Sequence, residues 1–263
     1  MADKRVKKAQ EAYEKGDIES TKKVHTKDAI EHAENHKTGK HLGDFVYGAL
    51  DGIVTTFAVV SGVEGAQLSS SIILILGFAN LLGDGVSMGV GNYLSTKSEL
   101  DYIKKERKRE EWEIENYPEG EKMEIRHIFH KKGFRGKDLD RATGIVTSDK
   151  KIWVDTMMTE ELGLVEEEKT PVISGLATFT AFVIAGFIPL LAFVLKILIP
   201  SLTIDLFMVS IFLTGLALFV VGAMRSLVTR LSWLRSGLEM LFVGGITALV
   251  AYGVGFFLRG LGV

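Results

Sequence analysis

The stretch Asp44-Phe-Val-Tyr-Gly48-Ala-Leu-Asp51-Gly-Ile-Val-Thr55-Thr-Phe-Ala-Val-Val-Ser-Gly-Val63 decides the fold. It is apolar for about 20 residues, the length of a membrane-crossing helix, yet it carries two aspartates. A second apolar segment, Ser70 to Leu94, repeats the pattern with Asn80-Leu-Leu-Gly-Asp84-Gly-Val-Ser-Met88-Gly-Val-Gly-Asn92. A carboxylate at bilayer depth costs about 2.5–3.5 kcal/mol on insertion scales, so it marks function unless a basic residue pairs with it. No Lys, Arg or His lies inside either segment.

Working outward, the chain is 47% hydrophobic and 24% charged, a mixture that implies membrane segments alternating with charged soluble ones. There is no cysteine, which excludes disulfides, thiolate metal sites and cysteine nucleophiles. A net charge of −2 argues against a nucleic-acid binder. The first 43 residues are polar and lack a signal-peptide core, so the first membrane segment is expected to direct insertion. They hold His25, His32, His36 and His41. A solvated, partly disordered tail is the simpler reading, and a weak metal-collecting patch built on the His32/His36 spacing is the other.

After Leu94 nothing breaks the helix: Ser95 to Asn116 has no Gly or Pro and alternates Lys, Arg and Glu. One helix is therefore expected to leave the membrane and run to the turn at Tyr117-Pro-Glu-Gly120. Glu121 to His130 has helical spacing, and a further helix is expected from Ser148-Asp149 to Gly163. Pro171 opens a third membrane segment that reaches Ile199 and should kink at Pro189. A fourth runs from about Leu202 to Met224 and a fifth from about Leu238 to Leu258.

Basic residues then orient the chain. Lys and Arg number 10 before Asp44, 16 from Lys97 to Lys169, and 3 in Arg225–Arg235. With five spans all three groups fall on one side, which is the cytoplasm by the positive-inside rule. The expected fold is an all-α membrane protein of five transmembrane helices, with a small helical cytoplasmic domain between helices 2 and 3. Its parts are a cytoplasmic tail (1–43), helices 1–2 (44–97), the soluble helical domain (98–169) and helices 3–5 (170–263).

Asp44, Gly48, Asp51 and Thr55 fall on one helical stripe, as do Asn80, Asp84, Met88 and Asn92. Counting inward from Asp44 and Lys97 at 1.5 Å per residue brings Asp51 and Met88 to about one depth, with Asp84 one turn further out. A carboxylate with a thioether suits a borderline divalent ion, Fe²⁺, Mn²⁺, Co²⁺ or Zn²⁺, where calcium or magnesium would want oxygen alone. The glycines around these acids serve close helix contact or an ion path equally well. In the soluble region Glu106, Glu110 and Glu113 share a face, Glu121 and Glu124 are spaced i,i+3, and Met157 and Glu161 i,i+4. These form either a solvated acidic face or an oxygen-rich metal site. Glu124-Ile-Arg-His127 also has the Glu-x-x-His spacing of di-iron bundles, which keeps a membrane-anchored ferroxidase open beside a metal buffer or sensor.

Asp51-Gly-Ile-Val-Thr-Thr with Ser61-Gly-Val, Gly83-Asp-Gly-Val-Ser-Met88-Gly-Val-Gly-Asn-Tyr-Leu-Ser, Met157-Met-Thr-Glu-Glu161-Leu-Gly-Leu and Leu241-Phe-Val-Gly-Gly together resemble the vacuolar iron transporter family. The resemblance covers nearly all of the chain after residue 43. It implies a homodimer in a lipid bilayer and export of Fe²⁺ or Mn²⁺ from the cytosol by proton counter-transport. It also implies a path where the first helices of two subunits meet, and calls for no prosthetic group and no catalytic residue. The matching positions imply roles for Asp51 and Met88 in the path and Asp44 at its cytosolic entrance. They likewise imply Glu110, Glu113, Glu121, Glu124, Met157 and Glu161 in a cytoplasmic metal-binding domain. The chain departs at Asn92, where many relatives have glutamate, and at Asp84, where eukaryotic members tend to have a small residue, as if a carboxylate had moved along the stripe. Without a targeting signal, a prokaryotic cell membrane is expected, or a vacuolar membrane if the source is eukaryotic.

Overall fold

The computed structural model describes residues 4–26, 41–165, 169–229 and 232–261. All regular structure among them is helical. Five helices are long and apolar enough to span a bilayer: α3 (Leu42–Gly65), the membrane part of α4 (Ser70–Asn116), the pair α8 (Pro171–Gly186) and α9 (Leu191–Leu198), α10 (Leu206–Thr229) and α11 (Trp233–Gly260). Ahead of them lie α1 (Lys4–Lys15) and α2 (Ile18–Val24). Between α4 and α8 come α5 (Pro118–Lys131), α6 (Gly136–Thr147) and α7 (Lys150–Thr156), the last continued by a π turn, Met157–Glu161.

The apolar spans have mean hydropathies of 1.5 to 2.5 and leave large side chains on their outer faces. Ile75, Leu82, Val86, Val90 and Leu94 on α4, and Phe242, Leu249, Phe256 and Phe257 on α11, are exposed. Water would not tolerate such faces, and lipid does, so the chain is a multi-pass membrane protein.

Small residues set the helix packing, as expected where lipid offers no hydrophobic driving force. Gly48 lies against the Thr178 backbone and Gly52 against the Phe182 carbonyl, so α3 and α8 run parallel in close contact. Gly89 meets Phe179, Gly85 meets Phe182, and Gly77 meets Leu190, so α4 runs antiparallel to α8. By the same contacts α11 lies antiparallel to α10 and parallel to α3, with Gly255 on Gly62. A cluster of Phe57, Ile73, Leu81, Phe182, Leu190 and Phe193 fills the space between α3, α4, α8 and α9.

Pro171 stands at the first turn of α8, and Pro189 interrupts the third span as a 3₁₀ turn, Ile188–Leu190. Pro189 cannot supply a backbone N–H, and its carbonyl is satisfied by the buried Ser210 hydroxyl, which donates at 2.6 Å. Helix α4 runs unbroken from Ser70 to Asn116 and leaves the bundle at the end where α3 and α8 begin. There Ile103, Ile114, Ile125, Trp153, Val154, Met157 and Met158 form a separate apolar core. Asp149 caps α7 by accepting from the backbone N–H groups of Lys151 and Ile152, at 2.9 and 3.1 Å.

Three helices go beyond the sequence expectations. The tail folds into the short helices α1 and α2, which turn at Gly16 (φ +63°) and bury Ala12 and Val24. His32 and His36, the spacing considered for a metal patch, lie outside the described residues. Helix α6 occupies a stretch for which no helix was expected; only its Leu139 and Thr143 are buried, too few apolar positions for a visible period.

Candidate metal path and acidic cluster

Asp51 projects from α3 and Asp84 from α4. Gly52 and Gly85, the residues after them, both pack on Phe182 of α8, which fixes the two acids at one level. They lie within electrostatic range of each other, and among the described residues neither carboxylate has a hydrogen-bond or ion-pair partner. Asp51 is half-buried and Asp84 exposed on the single chain. Met88, one turn along α4 toward the soluble end, packs on the membrane core. Depth counting had placed Asp51 beside Met88. The register differs because Asp44 stands opposite Asn92, to which Thr178 joins it, and not opposite Lys97, so counting back from Lys97 puts Met88 too deep.

At the bundle end where α3 begins, five polar side chains tie three helices together. Asn92 donates to the Thr178 hydroxyl (2.7 Å) and the Ser174 carbonyl (3.2 Å). Thr178 reaches the Asp44 carbonyl at 3.4 Å. The His41 ring contacts the Asp44 carboxylate (3.3 Å) and the Ser174 hydroxyl (3.1 Å) through Nδ1. Asn92 is thus engaged with α8, while Asp84 is left open. Asn80 is partly buried, and its amide nitrogen has no partner among the described residues.

The soluble carboxylates converge. Glu110, Glu113 and Glu121 offer oxygens that all lie within 4.8 Å of one another. Glu110 is 1% exposed, and among the described residues its Oε2, like Glu121 Oε2, has no hydrogen-bond partner, while its Oε1 has only an ion pair. Two full charges so close repel by about 3–4 kcal/mol at an effective dielectric of about 20, so the cluster calls for cations. Arg109 supplies one, with ion pairs to Glu106 (2.9 Å), Glu110 (2.7 Å) and Glu113 (2.6 Å).

Burial pushes the Glu110 carboxyl upward against the pull of Arg109. Glu121 is pushed up to about 7, first by burial and then by the charges of Glu124, Glu110, Glu113 and Glu161. Glu161 also rises to about 7, from loss of solvent and from its neighbours Glu124 and Glu110. Glu124 and Glu161 line an open cavity of about 460 Å³ together with Met123, His127 and Glu160. Met157, expected among these acids, is wholly buried in the apolar core behind them.

Residues 42–256 match the model of the VIT family, a range that contains the paired aspartates and the whole acidic cluster. The chain belongs to the VIT family. It is 39% identical over 265 residues to a vacuolar iron transporter of Toxoplasma gondii, covering 96% of this chain and 88% of that one. It is 34% identical to a vacuolar iron transporter of Plasmodium falciparum, with 98% of each chain covered. Vacuolar iron transporter 1 of Arabidopsis thaliana is 36% identical, across 84% of this chain and 88% of its own length.

Within this VIT-family chain, the sequence left three features unmarked. Arg109 looked like one charge among many on a solvated helix. Ser174 and Thr178 looked like ordinary small residues of a span. His41 falls one residue before the family match, and its contacts with Asp44 and Ser174 are what single it out.

Proposed function

We propose that the chain carries a borderline divalent metal ion, Fe²⁺ first and Mn²⁺ beside it, out of the cytosol in exchange for protons. It works as a homodimer whose path lies where the first helices of two subunits meet. The observation that carries this reading is the pair Asp51 and Asp84, two carboxylates at one membrane level with no cation among the described residues to pair them. Uncompensated acids in a span mark an ion or proton route. The vacuolar iron transporters among the relatives point to iron as the cargo.

Residues 1–43 and the soluble helices within 98–169 face the cytosol on this reading, with spans at 44–97 and 170–263. The clustering of Lys and Arg on that side supports the orientation. The membrane is vacuolar in type if the source is eukaryotic, and the cell membrane otherwise. Glu110, Glu113, Glu121, Glu124 and Glu161 collect the ion, whose charge displaces protons from carboxyls near pH 7. Met157 supports their shell from the core. Asp44 admits the ion to the path, and Asp51, Asp84 and Met88 replace part of its water. Protonation of the aspartates from the far side then releases it.

The test is Fe²⁺ flux into proteoliposomes under an imposed pH gradient. Asp51→Ala should abolish flux while leaving a folded dimer; uptake equal to wild type would remove Asp51 from the path. A second reading rests on one cavity: Glu124, His127 and Glu161 share it, as a di-iron oxidase site would require. Oxygen consumption on adding Fe²⁺ to the purified protein would favour that reading.

A further inference from the structure

We propose that His41 is a metal-ligating residue at the mouth of the bundle, held by Asp44 so that its Nε2 faces the incoming ion. The inference rests on the transport reading above and deepens it, by adding a nitrogen ligand to a route otherwise lined by oxygen and one thioether.

The argument begins with the proton on the ring. Nδ1 of His41 lies 3.3 Å from Asp44 Oδ2 and 3.1 Å from the Ser174 hydroxyl. An ionised carboxylate can only accept, so Nδ1 carries the hydrogen, and whenever the ring is neutral its lone pair is on Nε2. A carboxylate behind one ring nitrogen is the arrangement that fixes the tautomer and orientation of metal-bound imidazoles and raises their basicity.

The mounting is rigid. Ser174 is fully buried in α8, its carbonyl is taken by Asn92 of α4, and Thr178 joins Asn92 to the Asp44 carbonyl of α3. The ring therefore stands on side chains from three helices rather than on the mobile reach of a surface residue. It is also open to an ion, since the His41 side chain keeps 26% of its exposure and Asp44 keeps 19%.

The chemistry gives the ring a task the glutamates cannot perform. An all-oxygen cluster offers calcium and magnesium the ligands they prefer, so it does little to exclude them. Imidazole favours Fe²⁺, Co²⁺ and Zn²⁺ over those hard ions, so a His–Asp mouth sorts what the cluster has gathered.

Pulsed EPR on the full-length protein loaded with Mn²⁺ tests this directly, with the histidines ¹⁵N-labelled. The expected result is hyperfine coupling from a directly bound imidazole nitrogen that disappears in His41→Asn. Asparagine suits the position: its amide N–H stands near the place of Nδ1 and can still hold Asp44, while nothing replaces Nε2. In proteoliposomes the same variant should raise the KM for Fe²⁺ about tenfold, more than it lowers the maximal rate. Absence of nitrogen coupling in wild type, or coupling that survives in His41→Asn, overturns the assignment. So does an unchanged KM, which would reduce His41 to a donor that positions Asp44. Loss of flux in the wild type would instead overturn the transport reading, and the EPR result would still decide on His41.

Discussion

Asp51 and Asp84 share one level of the membrane bundle because the glycines that follow them, Gly52 and Gly85, rest on the same phenylalanine, Phe182. Two acids that act on one ion should not behave as independent sites. Asp51→Asn and Asp84→Asn are each expected to cut Fe²⁺ flux by at least about tenfold, with the double variant little worse than the worse single. Fluxes that multiply across the double-mutant cycle would mean that the two carboxylates serve separate steps.

The soluble cluster should bind metal through Glu110, Glu113 and Glu121 together. Glu113→Ala in the full-length protein is expected to weaken Mn²⁺ binding about tenfold by calorimetry. Glu110→Gln should do the same while stabilising the metal-free protein, because it removes a buried charge. Unchanged affinity in both variants would return the acids to an ordinary solvated face.

Acidity should act on this region with a definite sign. Glu121 and Glu161 titrate near 7 in the folded protein, above the 4.5 of a free glutamate. The folded state therefore holds more protons between these values, and its metal-free stability is fullest below about pH 4.5 and declines as pH rises through about 7. Metal affinity moves the opposite way, since the ion must displace those protons. Thermal melts without metal should show a lower Tm at pH 7.5 than at pH 5.5, and added Mn²⁺ should reverse the order.

Close helix contact makes a further prediction. A Cβ at Gly52 would run into the Phe182 carbonyl, whereas one at Gly245 meets open space. Gly52→Ala is expected to cost about 1–3 kcal/mol, read as a lower melting temperature in detergent. Gly245→Ala should be neutral or slightly stabilising, as alanine favours helix. Equal melting temperatures for the two would contradict the packing of α3 on α8.

Much of the architecture was legible in the sequence because hydropathy and breakers carry it. Five apolar runs, Pro171 at a helix start, Pro189 at a kink and the breaker-free stretch from Ser95 to Asn116 each have a local cause. What escaped depends on neighbours distant in the chain. Helix α6 shows too little apolar periodicity, with Leu139 and Thr143 as its buried positions. The pairing of Asp51 with Asp84 depends on how both helices lean on Phe182, which no spacing within either segment records. Arg109 could not be told from other solvated arginines until Glu106, Glu110 and Glu113 were seen around it. The glutamates of the cluster were visible as i,i+3 and i,i+4 sets, but their convergence needs the turn at Tyr117 that folds α5 back on α4.

One feature of α4 bears on how the two halves can work together. From Met88 to Glu110 the helix covers about 33 Å, several times the Debye length of about 8 Å at physiological salt. A cation captured by the glutamates therefore acts only weakly on the aspartates through charge, by about 0.5 kcal/mol for a unit charge at an effective dielectric of about 20. What joins them is stiffness: with no break from Ser70 to Asn116, a swing of about 5° at the cluster moves the level of Met88 by about 3 Å, as a lever does.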